Sequence, residues 1–474
     1  MQILRAIDTH SRIHMTTAKR QRKTLMLVLG MFCCLVGSKK LVWADALPAA
    51  PTVLPNGITL VTREDHTAPR VAISLLVRAG AADETVANAG WRRLLTEAML
   101  RASQRGTQGS NNARTIVQLQ REMEAVGGRM GAGVADDVIE FWAVGDSGST
   151  GHLLDLLLNV VQHPRLADQD VDVARRRLQS RLDNSADEIS QQAVTALRVQ
   201  LYHDARGELT AYGLPENGTN DSLASLTTDK IRTLHTQYFQ PTRFTIAVTG
   251  DLNPAQLRQR LSQIATGKGN LVTESPTPYF APPDTAQQAA VVRQTQMRSP
   301  AAWVFIAYSV AGLKDADQPA LRVLASALGE SSLARLPQRL LGGRPGSSKV
   351  TATQVAVQYT PRRYNSELIA FAQMDAQHVD EVKNVILEEV SKLRNTSLPT
   401  RELERAKNYV RGNWAVEREG LRERAFQTAL DPAVGAPSDT EWPKRVAAVT
   451  AADVRRVAQK YLQAHAVALI LPQE

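Results

Sequence analysis

The chain has 474 residues, enough for two domains of about 200 residues each. With 43% hydrophobic and 22% charged residues it has the composition of a globular protein, which excludes long disordered stretches. The net charge of +9 would suit a nucleic-acid partner, but residues 1–46 hold eight of the basic residues (Arg5, Arg12, Lys19, Arg20, Arg22, Lys23, Lys39, Lys40) against two acids. The remainder carries 48 basic and 45 acidic residues, so no nucleic-acid partner is expected.

Taken in chain order, residues 1–46 read as an export signal. A basic run, Lys19 to Lys23, precedes the apolar stretch Leu25–Gly37, and Ala44-Asp45-Ala46 offers a small-residue cleavage site. The apolar stretch is thirteen residues long, short of the roughly 20 needed to span a bilayer. Export to a bacterial periplasm is expected. Lys39 and Lys40 are atypical so close to a cleavage site, which leaves an uncleaved membrane tether as the alternative; a membrane is a partner only in that case. Both cysteines, Cys33 and Cys34, lie in this segment, so the processed chain would have no disulfide, thiol nucleophile or thiolate metal site.

Beyond the signal, Asn56–Arg63 predicts a strand entered through an Asn-Gly turn, and Arg70–Gly80 a second strand. An amphipathic helix follows over Ala89–Gln104. Gly127–Val144 is a glycine-containing strand region, and His152–Val161 and Asp168–Asp183 have helical periodicity. Ile231–Leu252 reads as a helix and then a strand. Glu274–Asp284 carries four prolines in eleven residues, which marks a linker. The second half repeats the order: a strand at Ala301–Gly312, a helix at Pro319–Leu328, and a closing helix and strand at Val454–Pro472. Duplication of one α/β unit explains the echo. The expected division is a signal over residues 1–46, a domain over 47–270, a linker over 271–287 and a second domain over 288–474.

The ordered segments LPNGITLV, SLLVRAGAADE, AGWRRLLTEAMLRASQRGT, EAVGGRMGAGVADDVIEFWAV, YGLPENGTNDSLASLTTDKIRTLHTQYFQPTRFTIAVTGDLN and VLASALGESSLARL resemble the pitrilysin/insulinase-type zinc peptidases. The resemblance implies an α+β fold of two homologous domains, each a mostly antiparallel sheet with helices on one face, as in mitochondrial processing peptidase, arranged as half of a clamshell. It also implies a helix carrying H-x-x-E-H, which sets two zinc-binding histidines one turn apart beside a glutamate base. At those positions this chain has Arg93, Thr96 and Glu97. The third ligand, expected roughly 75 residues downstream, falls at Val173–Ala174. No catalytic residue, metal ligand or cofactor is therefore expected, and zinc is expected only in a partner subunit. On sequence alone, Arg93 and Glu97 read as a surface pair at i, i+4, or as side chains filling the former metal cavity.

In such peptidases an arginine and a tyrosine of the second domain orient the substrate. By register those positions hold Leu341 and Ser348, beside the glycine-rich turn of Gly342, Gly343 and Gly346. An extended peptide could still add to a strand edge through backbone hydrogen bonds. The candidate edge comprises Gly127, Gly128, Gly131, Gly133 and Phe141, with Asp136, Asp137 and Glu140 favouring basic peptides; an ordinary internal strand is the competing reading. The sequence thus predicts a catalytically inactive homologue whose partners are peptides and an H-x-x-E-H-bearing subunit, with a stand-alone peptide-binding or scaffold protein as the alternative.

Overall fold

The computed structural model describes residues 48–104, 113–185, 189–203, 208–265, 290–294, 301–341 and 351–472. The expected signal, the Pro-rich linker and the glycine-rich turn with Ser348 lie outside these residues.

Apolar residues at alternate positions build the strands of the first half. These are β1 (Thr52–Val53), β2 (Thr59–Glu64), β3 (Arg70–Val77), the small paired strands β4 (Ala102–Gln104) and β5 (Ala113–Thr115), then β6 (Arg129–Val134), β7 (Ile139–Asp146) and β8 (Phe244–Gly250). One sheet runs in the order β1-β2-β8-β3-β7-β6. Its neighbours are antiparallel except for β2 and β8. The second half supplies β9 (Ala290–Gln294), β10 (Ala301–Ala311), β11 (Gln354–Thr360), β12 (Asn365–Asp375) and β13 (Ala466–Pro472). These form a sheet in the order β11-β12-β10-β13-β9, parallel only between β13 and β9. With β1 set aside, the two sheets have the same order and the same senses, so the duplication read from the sequence is present in the topology.

Two helices differ in extent from the sequence expectation. The helix expected over Ala89–Gln104 spans Trp91–Met99, because Gly90 enters it with φ +85 and the chain then turns into β4. The helix expected over Pro319–Leu328 is α-helical over Gln318–Ala325 and then widens into a π-turn, Ser326–Glu330. That turn buries the Glu330 side chain against Arg322, with which it forms an ion pair. Burial, aided by Glu417 and partly offset by Arg322, raises the Glu330 carboxyl to about 7. A carboxyl whose folded pKa exceeds its unfolded value loses stability as pH rises between the two, here from 4.5 to about 7. Glu330→Gln is therefore expected to match the wild type at pH 4.5 and melt higher at pH 8. Equal melting differences at both pH values would refute this.

Each half packs its own helices on one face of its sheet. Val71, Ile73, Leu75 and Val77 of β3 and Phe244, Ile246 and Val248 of β8 face the first set of helices. Ala302, Val304, Ile306 and Tyr308 of β10 face the second. The opposite faces are covered by exchange. A helix of the first half, Ile189–Leu201, lays Ala193 and Leu197 on Trp303, Phe305, Ile369, Phe371, Ala468 and Ile470 of the second sheet. A helix of the second half, Leu421–Val434, lays Ala429, Ala433 and Val434 on Val61, Leu76 and Ala247 of the first sheet. The small residues of Leu421–Val434 let the helix lie close to the strands, and the two halves are knit into one compact unit, Ala46–Glu474. Among the described residues no helix is long and apolar enough to cross a membrane.

Candidate functional site

The helix Trp91–Met99 occupies the position where the sequence resemblance expects a zinc helix. Trp91, Leu94, Leu95, Ala98 and Met99 form a fully buried stripe, and the Trp91 ring lies 4.7 Å from that of Tyr238, tilted by 37°. Gly90 permits the tight entry: a Cβ there would stand 2.8 Å from the backbone of Asn217 and Gly218. Ser222 fastens the same corner by donating from Oγ to the Ala89 carbonyl at 2.8 Å. The turn Pro215–Gly218 is thereby held at the start of the helix, and its Glu216 forms an ion pair with Arg93.

A second helix, Asp168–Ser185, packs beside the first. Val171, Ala174 and Leu178 form its buried stripe, and its Arg181 pairs with Glu97. Arg93 and Glu97 therefore each bind a partner outside their own helix, which corrects the reading of them as a surface i, i+4 pair. They tie together three segments far apart in sequence. Burial, with Arg92 and Arg181 as like-charged neighbours, lowers Arg93 to about 10, so it stays charged at neutral pH. Arg92 is wholly buried; its Nε donates to Glu84 at 3.0 Å and its Nη1 to the Ala135 carbonyl at 2.6 Å.

Zinc requires several donors converging on one point. Thr96 donates its hydroxyl to the Arg92 carbonyl at 2.7 Å, Ala174 has no donor atom, Arg93 is a cation, and Glu97 is engaged by Arg181. Among the described residues no group of three His, Cys, Asp or Glu side chains could hold a metal ion. The residues at these four positions do not fit zinc.

The candidate peptide edge divides into residues that lie on it and residues that do not. β6 is the end strand of its sheet, with no neighbour on its outer side among the described residues. Gly131 is flush against Trp142: a Cβ there would meet the Trp142 Cζ2 at 2.6 Å, whereas Gly133 faces open space. Gly127 and Gly128 form the turn leading into the strand, and Gly128 is packed against Leu153. Phe141 lies one strand inward and is fully buried, edge-on to Phe239 at 6.0 Å, so it does not line the edge. Leu341 caps the short helix Arg335–Leu340 and is partly exposed.

The acids expected to attract basic peptides are committed elsewhere. Arg362, fully buried and contributed by the second half, bridges Asp136 at 3.1 Å and Glu367 at 2.8 Å. Arg198, from the exchanged helix Ile189–Leu201, adds a bond to Glu367 at 3.1 Å. Although burial opposes it, this cationic surrounding holds Asp136 down to about 2. Asp137 accepts from the Tyr212 hydroxyl and from the Arg363 backbone N–H, both at 2.7 Å. Glu140 accepts from Arg422 at 2.7 Å and from Ser74 at 3.0 Å. These carboxylates join the halves; Asp137 and Glu140 are buried, and the Asp136 side chain is 28% exposed. Arg181, Glu216 and Arg362 were not singled out from the sequence. Only Arg181 had a local signal, two helical turns beyond Ala174 on the same face.

Two like-built α+β halves, with a helix Trp91–Met99 that carries no histidine, define the class: a tandem metallopeptidase-type scaffold. The chain belongs to the insulinase family, peptidase family M16. The model of the insulinase (peptidase family M16) domain matches residues 59–211, and that of the peptidase M16 inactive domain matches residues 225–410. A probable mitochondrial-processing peptidase subunit beta of Arabidopsis thaliana is 22% identical, over 87% of this chain and 76% of its own. An uncharacterised zinc protease of Streptomyces coelicolor is also 22% identical, over 87% and 86%. The solved structure of a peptidase M16 inactive domain from Pseudomonas fluorescens superposes with a TM-score of 0.74 at 17% identity, covering 90% of this chain and 98% of that one.

Proposed function

We propose that this chain is the non-catalytic subunit of an exported, heterodimeric zinc peptidase that acts on peptides. Its partner would be a homologous subunit bearing H-x-x-E-H and the zinc, and this chain would complete the chamber around the substrate. The observation that supports this reading is the replaced motif. Arg93, Thr96, Glu97 and Ala174 stand where two histidines, a base and a third ligand would be needed, while the whole two-half scaffold around them is kept. The named subunit of the Arabidopsis relative is in keeping with a paired arrangement.

The test is an affinity pull-down of the processed protein from its own envelope extract, with bound peptidase activity assayed with and without a chelator. Chelator-sensitive activity arriving with an H-x-x-E-H homologue is expected, and the chain purified alone should hold no stoichiometric zinc and cleave nothing. Activity or stoichiometric zinc in the isolated chain would overturn the reading. That the outer side of β6 has no neighbouring strand among the described residues favours a second reading, a stand-alone peptide-binding or scaffold protein of the cell envelope. Retention of a peptide without any co-purifying peptidase would select it.

A further inference from the structure

The turn between β6 and β7 meets the second half of the chain, and the charges gathered there do not balance. Among the described residues three carboxyls, Asp136, Asp137 and Glu367, share this seam with two guanidiniums, Arg362 and Arg198. Arg362 lies between Asp136 at 3.1 Å and Glu367 at 2.8 Å, and Arg198 reaches Glu367 at 3.1 Å. Asp137 is left with two neutral donors, the Tyr212 hydroxyl and the Arg363 backbone N–H, each at 2.7 Å. The other polar groups facing the turn are committed. Arg92 is bound to Glu84, and Asp83 accepts from the Gly80 N–H at 2.8 Å. The Arg363 guanidinium lies over the ring of Tyr364, and the Tyr202 hydroxyl accepts from Arg362 at 3.5 Å. Asp137 is 8% exposed, and the backbone closes over it: a Cβ on Gly80 would stand 2.9 Å from the Asp137 Cα. A buried carboxylate with another beside it and no cation of its own is easy to protonate.

We infer that Asp137 makes the seam between the β6–β7 turn and the second half a proton-operated clamp, gripping when Asp137 is neutral and loosening when Asp136 and Asp137 are both charged. A protonated Asp137 still accepts the Arg363 N–H on one oxygen, and it no longer repels Asp136. Burial first, and then the Asp136 charge, raise Asp137 to about 6. Against the effect of burial, Arg362 holds Asp136 down to about 2, so Asp136 stays charged throughout. A turn released into water titrates near the ordinary 3.8. The clamp is therefore strongest below that value, loses grip as pH rises from 3.8 to about 6, and levels off above. The strand that enters this turn is β6, whose end is thus held more firmly in mild acid than at neutral pH. The clamp needs no bound peptide.

The experiment is amide hydrogen exchange of the full chain at pH 4.5 and pH 7, corrected for the intrinsic pH dependence of exchange. The reporters are the Arg363 N–H, which donates to Asp137, and the Ala81 N–H, which donates to the Asp136 carbonyl at 2.6 Å. Their protection is expected to be about tenfold greater at pH 4.5 than at pH 7, following the proton that Asp137 takes up on docking. In Asp137→Asn the protection should be the same at both pH values. Tyr212→Phe removes a donor that favours the charged acid, so its loss of protection should occur at higher pH than in the wild type. That variant decides the matter if Asp137→Asn does not fold. Equal wild-type protection at the two pH values, a pH-dependent fall that survives Asp137→Asn, or an unmoved midpoint in Tyr212→Phe would each overturn the clamp.

Discussion

Arg362→Ala is expected to cost about 3–5 kcal/mol of folding stability, the loss seen when one partner is removed from a buried ion pair. Arg362 is 1% exposed and holds two carboxylates, Asp136 from the first half and Glu367 from the second. Its guanidinium also lies 5.1 Å from the ring of Tyr212 and 5.8 Å from that of Tyr202. Truncation would leave Asp136 facing an empty cavity and Glu367 with Arg198 as its remaining cation. Denaturant unfolding at pH 7 measures the loss. Because the unpaired acids can be neutralised, the deficit should shrink as pH falls toward 4. A variant as stable as the wild type would mean that the bridge is not what joins the halves.

The second large effect is expected from cutting the chain between residues 265 and 290 and producing the pieces separately. In most two-domain proteins each piece would fold. Here the second piece alone exposes Trp303, Phe305, Ile369 and Phe371, with their ring stacks at 5.5–6.4 Å, because their cover is the helix Ile189–Leu201 of the other piece. The first piece likewise loses Ala429, Ala433 and Val434 from its sheet. Exposed apolar faces of this kind drive aggregation. Each piece by itself is expected to be insoluble, and the two made together are expected to co-purify as a stable complex. Two soluble, independently melting pieces would contradict the exchange of helices.

Much of this architecture was legible because its signals are local. Alternation along Arg70–Gly80 and Ala301–Gly312 marks strands, the stripe from Trp91 to Met99 marks a helix, and the matched order of such elements marks a duplication. The absence of histidine from the motif helix could be read directly. What could not be read was long-range. Arg93 meets Glu216 across 123 residues and Arg181 meets Glu97 across 84, and no periodicity encodes such partners. Asp136, Asp137 and Glu140 read as acids favouring basic peptides because the arginines that pair with them come from distant segments. Phe141 was misplaced by one strand, since it lies on β7 and the edge strand is β6. Periodicity also says that the helix Ile189–Leu201 buries one face, but not that it buries it on the other half's sheet.

The parallel pairings set the timing of folding. β2 is paired with β8, so the first sheet cannot close until residue 250 has been made. Its second cover, Leu421–Val434, comes later still, and β13 pairs with β9 across more than 170 residues of sequence. Contacts of such long sequence separation slow folding, because loop closure precedes the gain from packing. The nascent chain therefore lacks the segments that complete its first half until Leu421–Val434 has been made.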